Sequence, residues 1–182
     1  MTTNNDAVIV LNRALDQMGD VLASIHQGHL TAQTPCSDWD VSRLIGHVLA
    51  APGNFLQMSQ GEQPDWSKTP PLVEDEWAAE FRSSADDLIH FWHQQGDAAD
   101  AGQVDWQTAE MAVHTWDLVR ATRMRIGLDP EVAERGLAFM SQGLTPENRG
   151  NVFGPEVEVA DDAPVYDRLA GFAGRDPAQS LN

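Results

Sequence analysis

The strongest constraint on this chain is a repeated three-and-four spacing of apolar residues, which commits most of its length to helices. Val8, Leu11, Leu15, Met18, Leu22 and Ile25 recur at that spacing, the pattern of one helix face, and predict a first helix over roughly residues 5 to 27. Asp40 is a candidate N-cap, with Trp39 before it and Leu44 after it as a hydrophobic staple. A second helix starts there on Val41, Leu44, Ile45, Val48 and Leu49, and Pro52 kinks it or ends its regular hydrogen bonding. Three prolines between residues 61 and 73 mark a connection. A third helix follows from about Glu74 to Gln95, with Trp77, Phe81, Leu88 and Trp92 on one side. A fourth runs from about Val104 to Arg125, with Gly127 as its stop. Asp129 and Pro130 open a shorter fifth helix that Gly143 closes. Beyond Val152 there is one alternating piece, Val157-Glu158-Val159, and a short helix near Val165 to Phe172. Four long amphipathic helices without convincing strand pairs predict an all-α, antiparallel four-helix bundle with a short extra C-terminal helix and tail.

A length of 182 residues suits a single domain over 1–182. With 28 acidic residues against 11 basic ones the net charge is -17. That argues against nucleic acid, which needs a basic face, and against an anionic membrane surface. No apolar stretch approaches the roughly 18 residues of a membrane span, and the N-terminus lacks the features of a secretion signal. The lone cysteine, Cys36, excludes internal disulfides and multi-cysteine zinc motifs. A cytoplasmic location is the expectation.

On a helical wheel, the fourth helix is apolar around most of its circumference, so it should be among the most buried elements, with Trp116 and Val119 inside. Glu110, His114, Asp117 and Ala121 share the remaining narrow stripe. Glu110 and His114 stand one turn apart and can reach one point beside the helix, a two-ligand platform for a divalent metal. By spacing alone such a stripe is more often a solvated face. Asp86, His90 and His93 on the third helix offer a competing set, read here as surface residues. His26 and His29 read as cations or dipoles at a helix C-terminus. His47 lies at the edge of the apolar face of the second helix, where Gly46 and Ala51 leave room for another group. A lone histidine there is more often structural, but it supplies a third ligand if the second and fourth helices face each other. Cys36 has no basic neighbour in sequence and reads as a packing or loop residue.

The stretches Thr34-Pro35-Cys36-Ser37-Asp38-Trp39, Leu44-Ile45-Gly46-His47-Val48 and Glu110-Met111-Ala112-Val113-His114-Thr115-Trp116-Asp117-Leu118, then Arg120-Ala121-Thr122, resemble the DinB-like superfamily. More narrowly, the chain is similar to metal-binding relatives of the N-terminal domain of mycothiol-dependent maleylpyruvate isomerase. Phe153-Gly154-Pro155-Glu156-Val157, Asp167-Arg168-Leu169 and Gly174-Arg175-Asp176-Pro177 resemble the closing signature of the single-domain branch. Asp40 stands where those relatives usually carry a hydroxyl residue, and the chain has no room for the isomerase's second domain, which weighs against maleylpyruvate as substrate. The resemblance implies a four-helix bundle holding one divalent metal, commonly zinc, on His47, Glu110 and His114, with Asp117 as a supporting or substrate-facing group. It also implies a small-molecule thiol such as mycothiol as cosubstrate, a transferase or isomerase activity, and a homodimer. The alternative is a noncatalytic bundle that merely binds a metal or small molecule.

Overall fold

The computed structural model describes residues 4–36, 39–73, 76–149 and 153–181. Among them are six α-helices: α1 Asn4–Ala23, α2 Val41–Ser59, α3 Trp77–Gln95, α4 Ala101–Thr122, α5 Pro130–Gly143 and α6 Val165–Phe172. No strand forms among these residues; a single antiparallel bridge joins Gln33 to Asp40 at the entry to α2. No helix is long and apolar enough to cross a membrane.

The helix ends follow local chemistry. Asp40 caps α2 by accepting from the Arg43 N–H at 2.8 Å, and Pro52 sits inside a helix that runs on to Ser59. The fourth helix starts earlier than its apolar pattern suggests, because the Asp100 carboxylate accepts from the N–H groups of Gly102 and Gln103. It also stops earlier. Arg123 takes a left-handed conformation at φ 55° and ends α4 well before Gly127. The first helix ends at Ala23, and a 3-10 turn over Gln27–His29 replaces its expected last turn. Glu74, where the third helix was expected to begin, lies outside the described residues, as do Ser37, Asp38 and Val152. Val157-Glu158-Val159 pairs with no strand. It packs against α6, where the Val157 N–H donates to the Gly171 carbonyl at 2.9 Å.

Both α1 and α2 pack on α3 and α4, while α4 also receives α5 and α6. Apolar residues from all six helices merge in one buried cluster. Buried polar contacts fix the relative heights of the helices. Trp92 Nε1 donates to Gln107 Oε1 at 2.9 Å, and Gln107 Nε2 donates to Ser59 Oγ at 3.2 Å, tying α3, α4 and α2. Gln17 on α1 reaches both the Tyr166 hydroxyl of α6 and the Asp129 N–H that precedes α5.

Helix α4 is the most enclosed, with every residue from Met111 to Leu118 buried. Trp116 is inside as expected, with its indole N–H on Asp167 at 2.9 Å. Val119 is only half-buried, because the helix is turning out toward Arg120 there. The stripe of His114, Asp117 and Ala121 is buried rather than solvated, since α2 and the segment after α6 cover it.

Candidate functional site

His47 comes from the middle of α2, and Glu110 and His114 from the middle of α4. Because these two helices pack together, the three side chains converge. His47 Nε2 lies 3.1 Å from Glu110 Oε1, and His114 Nε2 lies 3.2 Å from the same oxygen. One donor atom from each residue falls within 4.8 Å of the others. The edge-on approach of the two imidazole rings, with centroids 4.9 Å apart, leaves both ring nitrogens aimed at the shared carboxylate.

Aromatic groups hold His47 in place. Trp39, just before α2, packs its ring 5.1 Å from the imidazole centroid, and Trp66 packs its ring 5.7 Å from it. Trp66 is delivered by the proline-rich connection, which lies close on α2 because position 46 is glycine. A Cβ there would stand 3.3 Å from the Thr69 side chain. The room left by Gly46 is therefore taken by the connection.

The other side of His114 is equally committed. Its Nδ1 faces Asp117 Oδ2 at 3.1 Å, and Asp117 in turn accepts from Arg175 through both oxygens, at 3.3 Å from Nε and 3.1 Å from Nη2. This forked contact fixes the ring orientation of His114 from behind, the usual means of aiming a metal-binding imidazole. Arg175 reaches α4 because the segment after α6 is tied down there. Arg120 donates to the Pro177 carbonyl at 2.7 Å and Arg123 to the Leu181 carbonyl at 2.9 Å.

Burial works against charge at this point, and the neighbours overturn it. Burial disfavours the His114 imidazolium, yet the Glu110 carboxylate and then Asp117 hold its pKa up to about 9. Burial also disfavours ionised Glu110, but His114 and His47 keep its carboxyl well below the usual range. Asp117 is likewise held low, against its burial, by Arg175 and then His114. Glu110 and Asp117 both face the His114 imidazole, and Asp117 also faces Arg175, so each of the two carboxylates has a cationic partner.

Two imidazole nitrogens and one carboxylate oxygen form a donor set that suits zinc with a coordination position left open. A second convergent trio, Cys36, His114 and Asp117, lies against the first. There the Arg175 guanidinium already occupies the neighbourhood as a cation, 3.6 Å from Cys36 Sγ. Burial, followed by Asp117, pushes the Cys36 thiol up to about 11 despite Arg175, so it stays protonated at neutral pH. Neither trio includes Asp86, His90, His93, His26 or His29. His90 faces Gln94 on an exposed surface. His26 and His29 stack on each other at 3.8 Å. Burial and then His26 lower the pKa of His29.

The trio opens into a cavity of about 540 Å³ lined by Cys36, Trp39, His47, Trp66, His114 and Arg175, among others. Trp106, Glu110, Val113 and Phe153 also line it, and these four are shared with an adjoining, smaller cavity. Arg175, Trp66 and Phe153 were assigned no role from sequence. Each sits on a segment without helical periodicity, and Arg175 meets Asp117 from 58 residues away.

Two curated proteins of Mycobacterium tuberculosis resemble the chain throughout. The uncharacterized protein MT0763 of strain CDC 1551 / Oshkosh and the uncharacterized protein Rv0738 of strain ATCC 25618 / H37Rv are each 29% identical over 186 residues, covering 93% of this chain and 98% of theirs. Comparison with solved structures gives no significant match. The family model for the mycothiol maleylpyruvate isomerase N-terminal domain matches residues 11–119, a span that takes in His47, Glu110, His114 and Asp117. The chain belongs to that family.

Proposed function

We propose that this protein is a zinc-binding, thiol-dependent transferase or isomerase of the mycothiol type, acting in the cytoplasm on one antiparallel four-helix-bundle domain. The observation that carries the reading is the convergence of His47, Glu110 and His114 donor atoms within 4.8 Å at the wall of a large cavity. These three residues hold the metal, and their number leaves a position for a small-molecule thiol or water. A bound divalent cation supplies Lewis acidity there and lowers the pKa of a coordinated thiol.

The chain's own residues prepare that position. Asp117 and Arg175 aim His114; Trp39 and Trp66 pack against the His47 ring. Cys36 lines the same cavity with its sulfur 3.6 Å from the Arg175 guanidinium. Family membership supports the thiol as cosubstrate, since mycothiol stands in the family's name. The match covers an N-terminal domain alone, so maleylpyruvate is not carried over as substrate. Assembly as a homodimer completes the reading.

The test uses cobalt-loaded protein titrated with a small thiol, following the sulfur-to-metal charge-transfer absorption in wild type and Cys36→Ser. We expect a band that grows with thiol in both. A spectrum indifferent to thiol, or a sulfur band present beforehand and lost in Cys36→Ser, leaves the noncatalytic binding bundle as the better reading. His114→Ala should abolish stoichiometric metal while His90→Ala keeps it; the reverse would move the site to α3.

A further inference from the structure

Beside the cavity that holds the three donors lies a second one of about 250 Å³, between α4 and α5. Ala109 and Val113 of α4 form one wall, and Phe139, Met140, Gly143 and Leu144 at the end of α5 form the other. The two cavities meet at Glu110, Trp106, Val113 and Phe153. A ligand in the smaller space is therefore adjacent to a carboxylate of the proposed metal site.

We infer that this annex receives an uncharged, apolar portion of the second substrate, an aromatic ring or a short alkyl chain, and disfavours carboxylates. The inference rests on the proposed thiol chemistry for the word substrate, but the annex itself does not depend on it.

Three observations carry it. First, among the described residues Glu110 is the one charged group lining the annex, and its carboxylate is already engaged by His47 and His114, so a charged portion of a ligand finds no partner of its own there. Moving a carboxylate out of water against such walls costs free energy that a neutral group does not lose. Arg175 lines the larger cavity and is engaged by Asp117. Second, the walls combine aromatic rings with the polarizable Met140, surfaces that gain most from contact with flat apolar groups. Third, the size fits. A cavity of roughly 150 Å³ already holds benzene, and this one is larger.

The annex exists because α4 and α5 converge at one end and part at the other. At Gly136 a Cβ would stand 3.1 Å from Ala109 Cα, so the helices touch there. At Gly143 a Cβ would meet nothing within 4 Å. Gly143 lines the annex, and a side chain added there meets no neighbour at its first carbon.

The test is calorimetric titration of the full, metal-free chain with a matched pair of probes, naphthalene-1-methanol and 1-naphthoate. We expect one site for the neutral probe and at least tenfold weaker binding of the carboxylate. Gly143→Phe, which fills the space, and Phe139→Asp, which adds a negative wall, should each weaken the neutral probe at least tenfold with the helical circular dichroism unchanged. His114→Ala should keep it. Absence of binding, equal binding of the two probes, or binding indifferent to both annex variants would overturn the inference. Loss of the neutral probe in His114→Ala would overturn it too, by placing the probe in the larger cavity that His114 lines. If the cobalt protein ignores thiols while the probe pattern holds, the proposed activity fails and the apolar annex stands.

Discussion

Asp117 carries the hardest electrostatic problem in the molecule, a carboxylate with no solvent exposure. Arg175, itself buried, balances it with a forked contact, and His114 shares the remaining lone pairs. Removing one member of such a pair leaves an uncompensated charge in the interior, which costs about 3–5 kcal/mol. Arg175→Met should therefore destabilise the metal-free protein by about that amount in urea denaturation, and adding Asp117→Asn should recover most of the loss. A double variant as unstable as the summed single changes would mean that the two residues act independently. The i, i+4 spacing of Glu110 and His114 revealed their common reach from sequence, but spacing says nothing about which way a stripe points. Cys36 shows the same limit: its basic partner lies 139 residues away, beyond any reading of sequence neighbours.

At the scale of elements, the long helices were legible because each must bury one face, and burial imprints a period on the sequence. Their ends were less so. Capping depends on one carboxylate finding an N–H, as at Asp100, or on one residue adopting φ 55°, as at Arg123. The tail was least legible, because it packs through backbone contacts that need no apolar period. Gly171 of α6 illustrates this: a Cβ there would lie 2.7 Å from the Val157 carbonyl oxygen and 2.4 Å from Val159 Cγ2. Gly171→Ala should cost about 1–3 kcal/mol in denaturant unfolding, the range for inserting a methyl into closed packing. Adding Val159→Ala should return only part of it, because the clash with the backbone carbonyl persists. Full recovery would show that side-chain crowding alone keeps glycine at this position.

For the whole molecule, the excess of acidic groups sets the response to salt. A net charge of -17 repels itself across the compact state. Raising sodium chloride from about 10 mM to about 150 mM shortens the screening length from about 30 Å to about 8 Å. The metal-free protein should gain on the order of 1 kcal/mol, a rise in Tm of roughly 2–4 °C for a chain of this size. A Tm that falls with salt would mean that local ion pairs, such as Arg13 with Asp129 and Glu131, outweigh the global repulsion. The forked contact between Arg175 and Asp117 also has a consequence for synthesis. At roughly 5–20 residues per second, a ribosome takes about 3–12 seconds to travel from codon 117 to codon 175. Throughout that interval the nascent chain carries His47, Glu110 and His114 without the guanidinium that will compensate Asp117. The donors are born first, and the pocket matures only when a much later stretch of the message has been read.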